Sequence, residues 1–369
     1  MMTQLFPRLL SRRNTWPKKL AASAGLWLLA GLTACSSGSH LAYVTLPGQN
    51  AVAAYRIKNS SDAFTSIVGS PYLAGQSPAA VVVHPSGKFA YVANRIDNTI
   101  SRFKIDPTNG SLSEVLPRTA TDLDPAAMTM NSAGTLLLVV NEVGNSISVY
   151  SVNSTNGALT LAAGSPFATA ASPIAMALTP SAKYLYVLNG NLGFVFGYSV
   201  SSSGALQSLP GSPFPVGIGP FGLTVDPNEK FVYVANSSEN TVSILSITST
   251  GALSQVSGSP FPVGTTPVSV VTSSSGKYLY IANQGSSNVT AYSIDASTGF
   301  ATLISGSPFG TGSGPLFLFP DPDGTFLYLG SQTSNNITSF SIDPSTGILT
   351  NTAQTASTPV APGSMFVSK

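Results

Sequence analysis

The chain has 369 residues, of which only 8% are Asp, Glu, Lys or Arg while 43% are hydrophobic. Disordered chains combine low hydrophobicity with high net charge, so this composition excludes disorder and implies a packed protein. Sixteen basic residues against 14 acidic ones give a formal net charge of +2, too little for the basic surface of a nucleic-acid binder.

The N-terminal residues 1–34 read as an export signal. Arg8, Arg12, Arg13, Lys18 and Lys19 form a basic region, and residues 20–32 form an apolar run. That run is shorter than the roughly 20 residues a spanning helix needs, and it suits the apolar segment of a signal peptide. It ends in LTAC at 32–35, which resembles the bacterial lipobox. The resemblance implies that Cys35 is lipidated and becomes the mature N-terminus. Ser36 after it implies the outer membrane. Cys35 is the one cysteine in the chain, so neither a disulfide nor a CxxC metal or redox motif is available. The expectation is an exported lipoprotein of the cell envelope, held to the membrane through Cys35, with residues 35–40 as lipidated Cys and tether. Without the leader, 11 basic residues face 14 acidic ones, a net charge of −3.

From residue 41 onward the chain repeats. The residue that opens a YVxN-like segment recurs at Tyr43, Tyr91, Leu138, Tyr186, Tyr233, Tyr280 and Tyr328, at spacings of 47 or 48. Each unit reads alike. An apolar run follows a proline, as at 78–83; a polar turn follows, such as HPSGK at 84–88; then FAYVAN at 89–94, a loop to Asn98, a third run at 99–105, the turn DPTNG at 106–110 and a short fourth run at 111–115. Short runs rich in β-formers and bounded by Gly, Pro, Asn and Asp read as strands. Seven units of four strands predict an all-β, seven-bladed β-propeller over 41–369. The N-terminal unit lacks its first strand, and GSMFVS at 363–368 supplies one. Ring closure by one C-terminal and three N-terminal strands follows, and it removes free sheet edges.

The stretch GSPFPVG occurs at 211–217 and 258–264, with shorter copies at 69–72, 164–167 and 306–309. It falls between the fourth strand of one blade and the first strand of the next. It reads as a structural clip, stiffened by proline, with little regular hydrogen bonding and its aromatic residue wedged between blades. The second blade has Leu116-Pro117-Arg118 there instead, so a looser or a specialised connection is expected at that point.

The YVAN strands, the Asp-Pro-x-x-Gly turns and the HPSGK turn resemble the YVTN-type and lactonase-like seven-bladed propellers, the family of bacterial 6-phosphogluconolactonase. The resemblance covers about 41–369 and implies a propeller fold. Lactone-hydrolysing members typically carry Gly-Pro-Arg-His at the start of an inner strand and Asn-Glu at the end of a neighbouring strand. Here the residue after the inner-strand proline is Ala79, Ala126, Ile174, Phe221, Val268 or Leu316, with Gly363 in the last unit. None is Arg. Asn141-Glu142 does match, and Asn94-Arg95 offers a cation one blade earlier. Lactone hydrolysis needs a donor for the ester oxygen and a base for water. Arg95 and Glu142 are the candidate catalytic pair; Asp97 and Glu239 are further charges in equivalent loops.

Two histidines, His40 and His84, are too few for a His-rich zinc site, and a Ser-His-Asp triad is not expected. DPDG at 321–324 reads as an ordinary turn. Asn94, Asn141, Asn189, Asn236 and Asn283 end the second strands and read as structural caps. No cofactor and no metal site is predicted. The favoured function is a binding module, monomeric, that takes a small-molecule or protein ligand on one propeller face; the alternative is a lactonase using Arg95 and Glu142.

Overall fold

The computed structural model describes residues 38–190 and 192–368. Cys35 and the export signal lie outside the described residues. The fold is a seven-bladed β-propeller, as expected. Blade two shows the pattern: Pro78–Val83, Phe89–Asn94, Thr99–Ile105 and Leu112–Glu114 pair antiparallel in sequence order. Blades three to seven begin at Pro125, Pro173, Pro220, Pro267 and Pro315. Each inner strand packs against the inner strands of both neighbours, so these strands surround the axis. Blade one joins Met365–Ser368 to Ser39–Leu46, with Tyr43 opposite Phe366. The closure predicted from sequence is therefore present. The strand begins at Ser39, which brings His40, read above as tether, into the sheet.

Seven apolar clusters hold the ring, each shared by two adjacent blades. Both faces of a blade are covered, which is why the second strand FAYVAN is buried throughout rather than alternating as a half-exposed strand does.

Polar bonds across the seams add register to this packing. Near one face, the second-strand tyrosine of four blades reaches the Asp-Pro-x-x-Gly-type turn of the next blade. The hydroxyls of Tyr43, Tyr91, Tyr186 and Tyr280 donate to the carbonyls of Gly110, Gly157, Gly251 and Gly347 at 2.9, 2.8, 2.7 and 3.0 Å. Burial pushes these hydroxyl pKa values up, so they remain donors. The glycine is required: Gly251 has φ +82°, and a Cβ there would lie 2.5 Å from the Tyr184 ring. On the other face, left-handed Asn50, Asn98, Asn145 and Asn240 accept from the amides of Ser77, Asp124, Ser172 and Thr266 in the following blade, at 2.8–2.9 Å. Asn tolerates that backbone region at small cost.

The asparagines that end the second strands are fully buried and act as caps, through side-chain bonds rather than left-handed backbone. Asn94 Nδ2, for example, donates to Thr99 and Ser101 hydroxyls, both at 3.1 Å.

The clip carries more hydrogen bonding than its sequence suggests. Phe214–Pro215 is a two-residue strand paired with the third strand at Phe194 and Val195. The serine hydroxyl accepts the third-strand amide that neither outer segment reaches: Ser70 from Ala54, Ser165 from Val149, Ser212 from Gly197, Ser259 from Ile244 and Ser307 from Ala291, at 2.8–3.0 Å. Phe214 and Phe261 lie in the core shared with the next blade, as expected of the wedge. Blade two is not looser. Thr119–Ala120 pairs with its third strand, and Arg118 is tied to Glu114 at 2.7 Å. Blade seven has no clip; its outer strand Leu349–Ser357 runs on continuously.

Tyr186→Phe is expected to lose about 1 kcal/mol, the worth of one hydrogen bond. Gly251→Ala should lose about 2 kcal/mol or more, because left-handed strain adds to the clash with Tyr184. Urea unfolding of both variants checks the order; equal losses contradict the seam geometry.

Candidate mouth site

On the face that carries the left-handed asparagines, the loop from second to third strand meets the start of the inner strand. Two positions repeat there. One is the residue before the inner-strand proline: Ser77, Asp124, Ser172, Gly219, Thr266 and Gly314, all with positive φ. The other follows the second-strand cap: Arg95, Glu142, Gly190, Ser237, Gln284 and Gln332. The backbone ties the two together, for instance by Arg95 N–H to Ser77 carbonyl at 3.1 Å and Glu142 N–H to Asp124 carbonyl at 2.8 Å. The second set of side chains leans toward the following blade, and together they ring the mouth of the axis.

In blades two and three this ring is charged. Arg95 donates through Nε to Asp124 Oδ1 at 2.5 Å and through Nη2 to Asp124 Oδ2 at 2.8 Å. Nη2 also donates to Glu142 Oε2 in a short contact. The structure thus brings the predicted pair together and adds a third member. Arg95 is buried, with 4% of its side chain exposed, whereas Asp124 and Glu142 keep 22% and 18%. Burial disfavours the guanidinium charge, but Asp124 and then Glu142 outweigh it, and the Arg95 pKa is raised. The cluster is therefore a buried cation clamped by two partly exposed carboxylates, not a set of solvated loop charges. Glu142 Oε1 also accepts a long bond from Ser172 at 3.4 Å.

Elsewhere the ring is neutral. Ser237 donates to the Pro267 carbonyl, Gln284 reaches Gln332 at 3.4 Å, and Gly190 has no side chain because a Cβ would strike Ile174. Asp97 is drawn off to Arg118 at 3.3 Å and to the Gln76 amide at 2.8 Å. Glu239 sits beside Gly217 in blade five, away from Arg95. Flanking the cluster in the chain are Ile96, Leu123 and Val143, which are 58%, 50% and 59% exposed. Below the mouth, the seven inner strands carry no titratable residue.

Asp124 was not singled out from sequence. Its signal was present, since it is the one acid among the residues that precede the inner-strand prolines. His84 is structural: its ring bridges Ser86 at 2.8 Å and the Gly134 carbonyl at 3.1 Å.

Asp124→Ala is expected to cost about 2 kcal/mol, below the roughly 3–5 kcal/mol for breaking a fully buried pair because the carboxylates touch water. Asp97→Ala should cost under about 1 kcal/mol, as surface pairs do. Thermal unfolding of both compares them; similar small losses would mean that Arg95 is not clamped.

No curated protein matches the chain at the sequence level. Among solved structures, the fold is similar to a 6-phosphogluconolactonase candidate from Bacteroides uniformis, with a TM-score of 0.77 and 20% identity over 90% of this chain and 100% of that one. It is also similar to a second such candidate from Bacteroides fragilis, at 0.76 and 21% over 91% and 99%. The periplasmic gluconolactonase of Pseudomonas aeruginosa aligns at 0.74 and 18% over 90% and 99%. At such identities these likenesses speak for the fold alone. The sequence model described as "Lactonase, 7-bladed beta-propeller" matches residues 33–176 and 170–366. With that match across nearly the whole propeller, the chain belongs to the lactonase family of seven-bladed β-propellers.

Proposed function

We propose that this chain is a ligand-binding propeller rather than a hydrolase, and that its ligand docks at the mouth around Arg95, Asp124 and Glu142. The clamping of Arg95 carries this reading. Polarising an ester oxygen needs donors aimed at the developing charge. Three of the arginine's N–H bonds already go to carboxylates. Activating water needs a free carboxylate in reach, and Glu142 is engaged by the same guanidinium. No histidine or second cation joins the cluster among the described residues.

The rim gives the ligand its character. Exposed apolar side chains beside a polar cluster favour a molecule, small or proteinaceous, that offers an apolar face and a few hydrogen-bonding groups. A phosphorylated ligand suits the site poorly, since a phosphate needs cations and the cluster holds two carboxylates against one guanidinium.

Lactone hydrolysis is the second reading. It is favoured by membership of the lactonase family and by the direct contact of Arg95 with Glu142. In that reading Arg95 binds the ester oxygen and Glu142 activates water. Assaying the purified protein against a panel of simple and sugar lactones, beside Glu142→Gln, separates the two. The binding reading predicts rates no higher than spontaneous hydrolysis for both proteins. Turnover by the native protein that is lost in Glu142→Gln overturns it.

The proposed setting is the envelope, with the chain exported and lipidated at Cys35. The support is the LTAC tetrad after a basic and an apolar stretch. Cys35→Ser is expected to move the protein from the membrane to the soluble fraction of a Gram-negative host; unchanged membrane association contradicts the anchor.

A further inference from the structure

The seam that closes the ring departs from the other six on the face opposite Arg95. Elsewhere the turn between third and fourth strands presents a left-handed glycine, such as Gly110 or Gly251. In blade one Asp62 stands there, left-handed at φ 54° and 1% exposed. Its Oδ1 accepts the Tyr328 hydroxyl at 3.0 Å where Tyr43, Tyr91, Tyr186 and Tyr280 find a glycine carbonyl, and its Oδ2 accepts from Thr352 at 3.4 Å.

Two more carboxylates face the same seam from the DPDG turn of blade seven. Asp321 is 2% exposed, and its Oδ1 accepts the Thr325 and Phe326 amides at 2.6 and 2.9 Å. Asp323 has 44% of its side chain exposed and lies 2.9 Å from His40 Nε2. Asn59 also donates to Asp323, at 3.3 Å. His40, on the first strand of blade one, is 5% exposed, and its Nδ1 has no partner among the described residues. A carboxylate only accepts, so Asp323 takes its hydrogen bond from Nε2–H, and Nδ1 is the ring nitrogen left unpartnered.

Among the described residues, neither Asp62 nor Asp321 forms an ion pair with a lysine or arginine. Burial pushes the Asp62 carboxyl up to about 7. The seam is short of positive charge where three acids meet, and buried charges without partners are costly. One ligand atom each from His40, Asp321 and Asp323 falls within 4.8 Å of the other two. Atoms bound to a common ion at about 2.0–2.2 Å lie within roughly 4 Å of one another, so small side-chain adjustments suffice.

We propose that His40, Asp321 and Asp323 form a site for a first-row divalent cation, which ties the first strand of blade one to the turn of blade seven across the closing seam. An imidazole with two carboxylates suits Zn²⁺ or Mn²⁺ better than the all-oxygen shells of Mg²⁺ and Ca²⁺. The exposed edge at Asp323 gives the ion and a coordinating water their access. DPDG, read from sequence as an ordinary turn, is a turn, and the histidine from the far end of the chain changes its chemistry.

The test is titration of EDTA-treated protein with Zn²⁺, followed by calorimetry and thermal unfolding. The expected result is one Zn²⁺ per chain, with a rise in Tm of about 4 °C at a hundredfold excess over Kd. Asp323→Asn and His40→Gln should abolish both effects while Cys35→Ser retains them. Should those variants fail to fold, Co²⁺ bound to the native protein gives a variant-free reading: visible absorption without a thiolate charge-transfer band is expected. No stoichiometric binding to the native protein, or binding that survives in folded Asp323→Asn, overturns the proposal and leaves a seam neutralised by protons.

Discussion

Everything in this molecule depends on how one blade holds the next. The apolar seams supply most of the attraction, but apolar contact is non-directional and does not set register. Register comes from directional clasps at the ends of the seams, of two kinds. A buried tyrosine hydroxyl meets the carbonyl of a left-handed glycine on one face, and a left-handed asparagine receives the next blade's amide on the other. Since each hydroxyl is cut off from water, losing its partner costs more than making the bond yields. The clasps therefore disfavour misaligned blades. With the chain ends joined in blade one, the inner edge strands of the sheets all face the enclosed axis.

This scaffold leaves the mouth free to vary. The two positions that ring it are fixed in backbone by the same amide-to-carbonyl bonds in blade after blade, so their side chains change without disturbing the fold. Blades two and three place Asp124, Arg95 and Glu142 there; blades four to seven place glycine, hydroxyls and carboxamides. The difference between a lactone-cleaving site and a docking site on one fold then rests on a few side chains, and fold alone does not decide it. Here the only arginine at the mouth among the described residues is held between two carboxylates, which favours recognition over polarisation.

The architecture was legible because a spacing of 47 or 48 residues fits four short strands and their turns, and because a missing first strand at one end matched a spare strand at the other. Arg95 and Glu142 were legible for the same reason: they share a column of the repeat. What escaped were contacts between columns. Asp124 lies in a different column from Arg95 and in the following blade, and only the lean of the arginine across the seam unites them. The serine of the clip escaped because its partner amide, such as that of Ile244, lies 15 residues upstream. Blade two is specialised rather than loose: Arg118 replaces the clip chemistry by ion pairs with Glu114 and Asp97 while Thr119–Ala120 still pairs with the third strand. Asp62 escaped because its glycine counterparts become recognisable as a set only once Tyr328 is seen to reach around the closed ring.

The clamped state of Arg95 is open to direct observation by nitrogen-15 NMR of arginine guanidinium groups. A guanidinium held bidentately by Asp124 and bonded again to Glu142 should give resolved, slowly exchanging Nε–H and Nη–H signals at room temperature, unlike a solvent-exposed arginine side chain. Their collapse in Asp124→Ala should identify them. A single, rapidly exchanging Arg95 signal in the native protein would contradict the account, because a mobile guanidinium is free to meet a substrate oxygen.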